Sequence, residues 1–424
     1  MNCRKTILKN GLRVLTTLVP SSPSATVTIW VGVGSRQEED KIAGLSHFLE
    51  HIVFKGTKKR PTAKDISEEI DALGAEMNAV TTQHWTCFYL KARVAKIEKI
   101  FDILSDVVLN PLLKEEEIER EKGVIIQEIK MYEDLPTNFI WNLFERSIFK
   151  GNSLGRDIIG SRKTVRNLKK DDFLRYRKMH YYPENMLVTV AGGINEKETN
   201  LLAQRYFGQL EKRGKNEEKI EKFVSSQTGP KVLLQNKKTE QAHFILGFLG
   251  LPLGHQERFV KGILSALLGE GSSSRLFVEV REKRGLAYHI RTTVDQFVDT
   301  GFMATYAGVN PEKIEEAIKV ILDEHYKLAK GEKEITEKEL LKAKEFLKGH
   351  LALELEDSRV INEFFGIKGV LLDKTDSLEE VFKGIDKVTK EDVVRLARKL
   401  FVPRSLNLAV IGPFKNESSF KKLL

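Results

Sequence analysis

His47, Glu50 and His51 are spaced so that one helix would present all three on the same side. Gly44-Leu45-Ser46 before them and Ile52-Val53-Phe54 after them read as one amphipathic helix, with Phe48 and Leu49 turned toward a core. Two imidazoles one turn apart suit a tetrahedral zinc ion, and the carboxylate between them can reach a water that the ion activates. The order His-x-x-Glu-His inverts the commoner His-Glu-x-x-His arrangement. A five-residue pattern also arises by chance on surface helices, so other parts of the chain must carry the case.

A catalytic zinc takes three protein ligands and keeps one position open. Glu115 to about Glu133 reads as a long charged helix that brings Glu117, Glu121 and Glu128 near one face, the last two being two turns apart. Such stripes are commonly solvated, and spacing alone does not choose among the three.

At 424 residues the chain is long for one hydrophobic core, so more than one domain is expected. Hydrophobic residues make up 41% and charged residues 30%, as in ordinary globular proteins. The net charge of +9 comes from 69 basic and 60 acidic residues spread along the chain, without the basic stripe and interleaved aromatics of a nucleic-acid binder. The two cysteines, Cys3 and Cys87, exclude a disulfide framework. Met1 to Val19 lacks the apolar core of a secretory signal, and no apolar run suggests a membrane span, so a cytoplasmic location is expected.

The elements that would position the histidine helix occur twice. Lys5 to Val19 reads as a hairpin with a two-residue Asn10-Gly11 turn, Ala25 to Gly34 and Met77 to Ala92 as strands, and Lys64–Leu73 and Ile97–Leu109 as helices. A helix near Lys170–His180 and a strand at Met186–Ala191 follow. Lys390-Glu391-Asp392 then echoes Lys170-Asp171-Asp172, Pro403 echoes Pro183 and Gly412 echoes Gly192, all at an offset of 220 residues. Weaker echoes keep the offset between 217 and 222, which points to internal duplication. The expected organisation is an N-terminal metal-binding domain over 1–210, a polar linker over 211–226 and a homologous C-terminal domain over 227–424. The second copy has Ile263–Leu268 and then Gly269-Glu270-Gly271 where the first has its histidines, so only one copy holds a metal.

The run from Gly44 through His47, Glu50 and His51 to Lys55-Gly56-Thr57 resembles the signature of the pitrilysin-type zinc metallopeptidases, closest to the group of the mitochondrial processing peptidase β-subunit and its bacterial relatives. The resemblance continues at Gly74–Thr81, Glu119-Arg120-Glu121, Leu154-Gly155-Arg156, Ser274–Phe277 and Arg281–Tyr288, and so covers nearly the whole chain. It implies an α+β fold of two homologous domains, each a mixed, mostly antiparallel sheet packed with helices, and one Zn2+ per chain. The third ligand in that family follows the second histidine after 76 intervening residues, which is Glu128. Glu121 corresponds to an acid that supports the site, and Glu50 to the general base. Asn78 and Ala79 would lie on an edge strand that an extended peptide joins. Arg281 and Tyr288 match a pair that binds substrate and stabilises the oxyanion.

The implied activity is zinc-dependent hydrolysis of peptides or unfolded segments in a clamshell chamber. A homodimer is expected, in which Arg281 and Tyr288 come from the second half of the other chain; a heterodimer with an inactive paralogue is the alternative. The rival reading is a structural or assembly subunit without catalysis, against which His47, Glu50, His51 and Glu128 all speak.

Overall fold

In the computed structural model, which describes residues 2–214 and 220–424, the β-branched runs pair into two sheets. The first contains β1 (Cys3–Ile7), β2 (Arg13–Leu18), β3 (Ser24–Val31), β4 (Glu76–Thr81), β5 (Thr86–Arg93) and β6 (Met186–Gly192), in the order β1-β2-β6-β3-β5-β4. The second contains β7 (Lys231–Asn236), β8 (Ala242–Leu249), β9 (Ala287–Gln296), β10 (Gly301–Val309) and β11 (Leu406–Gly412), in the order β7-β11-β8-β10-β9. Without β1 the two orders are identical. In each sheet one pair is parallel, β2 with β6 and β7 with β11, and the remaining pairs are antiparallel. The Lys170–His180 helix and β6 return 220 residues later as Lys390–Leu400 and β11. The expected α+β fold and its duplication are therefore present.

The division into units is less simple than two contiguous halves. One unit comprises Met1–Lys130, Arg156–Ile220 and Ala352–Glu379; the other comprises Met131–Gly155, Glu221–Leu351 and Glu380–Leu424. The expected boundaries at 210 and 227 bracket one division point, although residues 215–219 of that linker lie outside the described residues. Beyond this, each half lends the other's unit one helix, Pro136–Ile148 and Ser358–Leu372, and these begin 222 residues apart. Both helices are apolar enough to cover a sheet. In the second unit Phe139, Ile140, Phe144 and Ile148 pack with Ile245, Phe302 and Ile411. In the first unit Asn362 Nδ2 donates to the Thr26 and Thr189 carbonyls and to Thr28 Oγ1. Gly366 lets the helix approach there, because a Cβ would lie 2.4–2.7 Å from the Trp30 indole.

Two connections differ from expectation. The β1–β2 loop is closed by Leu8 N–H donating to the Leu12 carbonyl, which leaves Lys9, Asn10 and Gly11 in the loop, with Gly11 at φ +90°. A left-handed third residue of this kind favours glycine. The run Met77–Ala92 is not one strand but the β4–β5 hairpin, which reverses where Thr82 N–H donates to the Trp85 carbonyl. Among the described residues, no helix is long and apolar enough to cross a membrane.

Two buried histidines make the fold acid-sensitive. Burial depresses His180 in the first unit and His325 in the second to about 4, the latter against the Ile321 carbonyl that partly offsets it. Both are depressed from 6.5, so the unfolded chain takes up protons first as the pH falls. Their contribution is complete above pH 6.5 and lost toward pH 4. Each is worth up to about 3 kcal/mol. The urea midpoint is expected to fall across this window, and less steeply in His325→Gln; a flat midpoint would exclude these residues as the cause.

Candidate metal centre

Leu45–Ile52 forms the α-helical part of the expected helix, which tightens to a 3-10 turn over Val53–Lys55, and buries Leu45, Phe48, Leu49 and Ile52. Phe48 meets the Phe173 ring edge-on, with centroids 4.9 Å apart. This anchoring leaves His47, Glu50 and His51 half-buried on the opposite side. The Glu115–Asp134 helix buries Ile118, Ile125 and Ile129, and brings Glu121 and Glu128 to the same histidines. Glu117 turns elsewhere and pairs with Arg120 at 2.6 Å.

His47 Nε2 and His51 Nε2 each stand 3.6 Å from a different oxygen of Glu128. These contacts are too long for hydrogen bonds. They are slightly longer than the roughly 3.3–3.5 Å that separates ligand atoms around a tetrahedral zinc with bonds near 2.05 Å. One donor atom from each of His47, His51 and Glu128 lies within 4.8 Å of the others, the one such group among the described residues. His51 Nδ1 is 2.9 Å from Glu121 Oε1, which fixes its tautomer and leaves Nε2 for a metal. Two nitrogens and a carboxylate, with the ring of His51 already oriented, are a donor set that fits zinc.

Charge holds the carboxylates ionised. Burial pushes Glu121 up, but hydrogen bonds from His51 and Lys55 outweigh it and bring the carboxyl below its usual range. Burial likewise pushes Glu128 up, and the neighbouring His47 and His51 bring it down. Burial lowers His51, while Glu121, Glu128 and Glu50 together raise it. Lys55, whose Nζ is 2.7 Å from Glu121 Oε2, is a further site residue, and its position one turn beyond His51 is the only mark it leaves in the sequence.

The remaining site residues fall in two places. Asn78 and Ala79 lie on β4, an edge of the first sheet, where Ala79 N–H donates to the Asn78 side chain at 2.9 Å rather than to a neighbouring strand. Thr81 on the same strand donates to the Ser46 carbonyl of the ligand helix at 3.4 Å. Arg281 and Tyr288 belong to the second unit, where the guanidinium lies 4.7 Å from the Phe277 ring centre and 5.0 Å from that of Tyr288. Tyr288 is 77% exposed on edge strand β9, and so is not the core aromatic its residue type alone would suggest. His84 is buried in the hairpin turn beside Arg36.

This fold, with an inverted histidine motif and a carboxylate helix, defines a class of zinc peptidase, and comparison with known proteins agrees. Residues 13–162 match the family described as insulinase (peptidase family M16), and residues 167–347 match the peptidase M16 inactive domain. An uncharacterized zinc protease of Streptomyces coelicolor is 36% identical over 98% of this chain and 91% of its own length. One from Bacillus subtilis is 34% identical over 97% of this chain and 98% of its own. The chain belongs to peptidase family M16. The crystal structure of a protease from Helicobacter pylori superposes with a TM-score of 0.89 at 25% identity, covering 97% of this chain and 99% of that one.

Proposed function

We propose that the protein is a zinc-dependent endopeptidase that hydrolyses peptides or unfolded segments. The observation that carries this reading is the convergence of His47, His51 and Glu128, with one donor atom of each within 4.8 Å of the others and Glu121 orienting His51. These three residues would hold one zinc ion per chain, which supplies Lewis acidity and makes hydroxide accessible near neutral pH. Glu50 accepts the proton of the attacking water and delivers it to the leaving amine. Asn78 and Ala79 align the substrate main chain along the β4 edge. Arg281 and Tyr288, on a homodimeric partner's second half, complete the pocket for the developing oxyanion. Pairing would enclose a chamber that admits extended chains and refuses folded ones.

The test is cleavage of a long quenched fluorescent peptide before and after chelation, with zinc then returned in stoichiometric amount. Cleavage should vanish and recover. Stoichiometric zinc binding without cleavage of any peptide would overturn the reading in favour of a structural or assembly role. Full activity in a monomeric fraction would overturn the proposed pairing.

A further inference from the structure

The ligand helix begins at a residue that cannot cap it. Its N-cap is Gly44, at φ +97°, which has no side chain to receive the first N–H groups. Those groups are orphans of any helix start and need acceptors when buried. Glu38 supplies them from outside the helix. Its Oε2 accepts from Gly44 N–H at 2.8 Å and its Oε1 from Ser46 N–H at 2.6 Å, and the side chain is buried. Burial pushes the Glu38 carboxyl up to about 7, against these N–H bonds and the charge of Arg156, and its ionised form faces the positive end of the helix.

The segment that carries Glu38 is itself held by one guanidinium. Arg156 Nη2 donates to the carbonyls of Glu38 at 2.7 Å, Ser35 at 3.1 Å and, more weakly, Arg36 at 3.4 Å, while Nη1 reaches Asp40 at 2.6 Å. The same segment binds the β4–β5 hairpin through its other groups. Ser35 N–H donates to the Thr82 carbonyl at 3.0 Å, and Arg36 N–H to that of Gln83 at 2.9 Å. Gly34 lies so close to this turn that a Cβ would stand 2.1 Å from the Thr82 oxygen. One short segment thus touches the start of the helix bearing His47 and His51 and the turn beside the strand bearing Asn78 and Ala79.

We infer that Arg156 and Glu38 form a positioning couple that sets the metal-ligand helix and the substrate-strand hairpin in register with each other. The inference rests on the zinc-peptidase reading for its purpose, but the coupling is a property of the chain itself. Arg156 suits the task because its planar fork holds the main-chain carbonyls on Nη2 and Asp40 on Nη1 in one fixed geometry, which the single nitrogen of a lysine does not reproduce. Neither residue touches the metal ligands or the substrate edge, so both act through the segment between them.

The test compares wild type with Arg156→Lys, Arg156→Gln, Glu38→Gln and the Arg156→Gln/Glu38→Gln double variant. Hydrogen exchange is read in the zinc-free protein, zinc affinity by competition with a chromogenic chelator, and kcat and KM with a peptide. Each single variant should speed exchange at both 44–52 and 82–86. The two glutamine variants should each weaken zinc about tenfold, the size expected for partners that orient ligands. The double variant should be no worse than the worse single, because both changes release one device. Exchange confined to 35–40 with unchanged zinc affinity, or effects that add, would overturn the couple. If Arg156→Gln does not fold, Arg156→Lys and Glu38→Gln decide the matter by the same exchange pattern. A wild type that neither binds zinc nor cleaves peptide would overturn the functional reading, while exchange in the zinc-free protein would still test the couple.

Discussion

Glu50→Gln is expected to lower peptide hydrolysis by about 10²–10⁴-fold while leaving stoichiometric zinc binding in place. The two effects separate because the donor set is complete without Glu50. His47 and His51 direct their Nε2 atoms at Glu128 with 3.6 Å spacing, and Glu121 already orients His51. Glu50 lies one turn after His47 on the same helix and beside His51. Its charge is felt there, being one of the groups that raise His51. Glutamine keeps the shape and the helix but cannot accept a proton near neutral pH. Turnover with the peptide substrate and metal content of the same preparation check this. Activity within a few-fold of wild type would mean that another group is the base. Loss of metal together with activity would mean that Glu50 belongs to the donor set.

Much of the architecture could be read because chemistry and repetition left local marks. The histidine pair and its carboxylate sit within five residues, and burial of Phe48 and Leu49 follows from helical periodicity. The duplication was readable because the Lys170–His180 helix, Pro183 and β6 recur at a constant offset, and the structure repeats the strand order as well. The exchanged helices left no such mark. Pro136–Ile148 and Ser358–Leu372 each carry an apolar face, and an apolar face does not say which of two similar sheets it will cover. The hairpin within Met77–Ala92 was hidden because Thr82–Trp85 contains neither glycine nor proline, the usual punctuation of a turn. Choosing Glu128 over Glu121 and Glu117 required family resemblance, since all three fit the charged helix. The clamp of Arg156 on residues 35–40 spans over a hundred positions and consists largely of bonds to main-chain carbonyls, which carry no residue identity.

Glu128→Gln and Glu121→Gln, though chemically the same change on one helix, are expected to differ sharply. Glu128 has both oxygens turned toward the imidazole nitrogens, and against the upward push of burial those neighbours bring its carboxyl below the usual range. Replacing it with an amide removes an anionic ligand from the donor set, so zinc binding and hydrolysis should both be lost. Glu121 is only 3% exposed and spans His51 Nδ1 at 2.9 Å and Lys55 Nζ at 2.7 Å, one on each oxygen. An amide oxygen there can still accept from the imidazole, but its NH2 cannot accept from the ammonium. His51 therefore keeps a weakened guide and Lys55 loses its partner. The expected cost in zinc affinity is about 10–100-fold, with activity restored by excess zinc. Titrating both variants with zinc while following hydrolysis separates the cases. Rescue of Glu121→Gln but not of Glu128→Gln would assign the third ligand. Rescue in the opposite sense would exchange their roles, since whichever carboxylate binds the ion directly is the one that added zinc cannot replace.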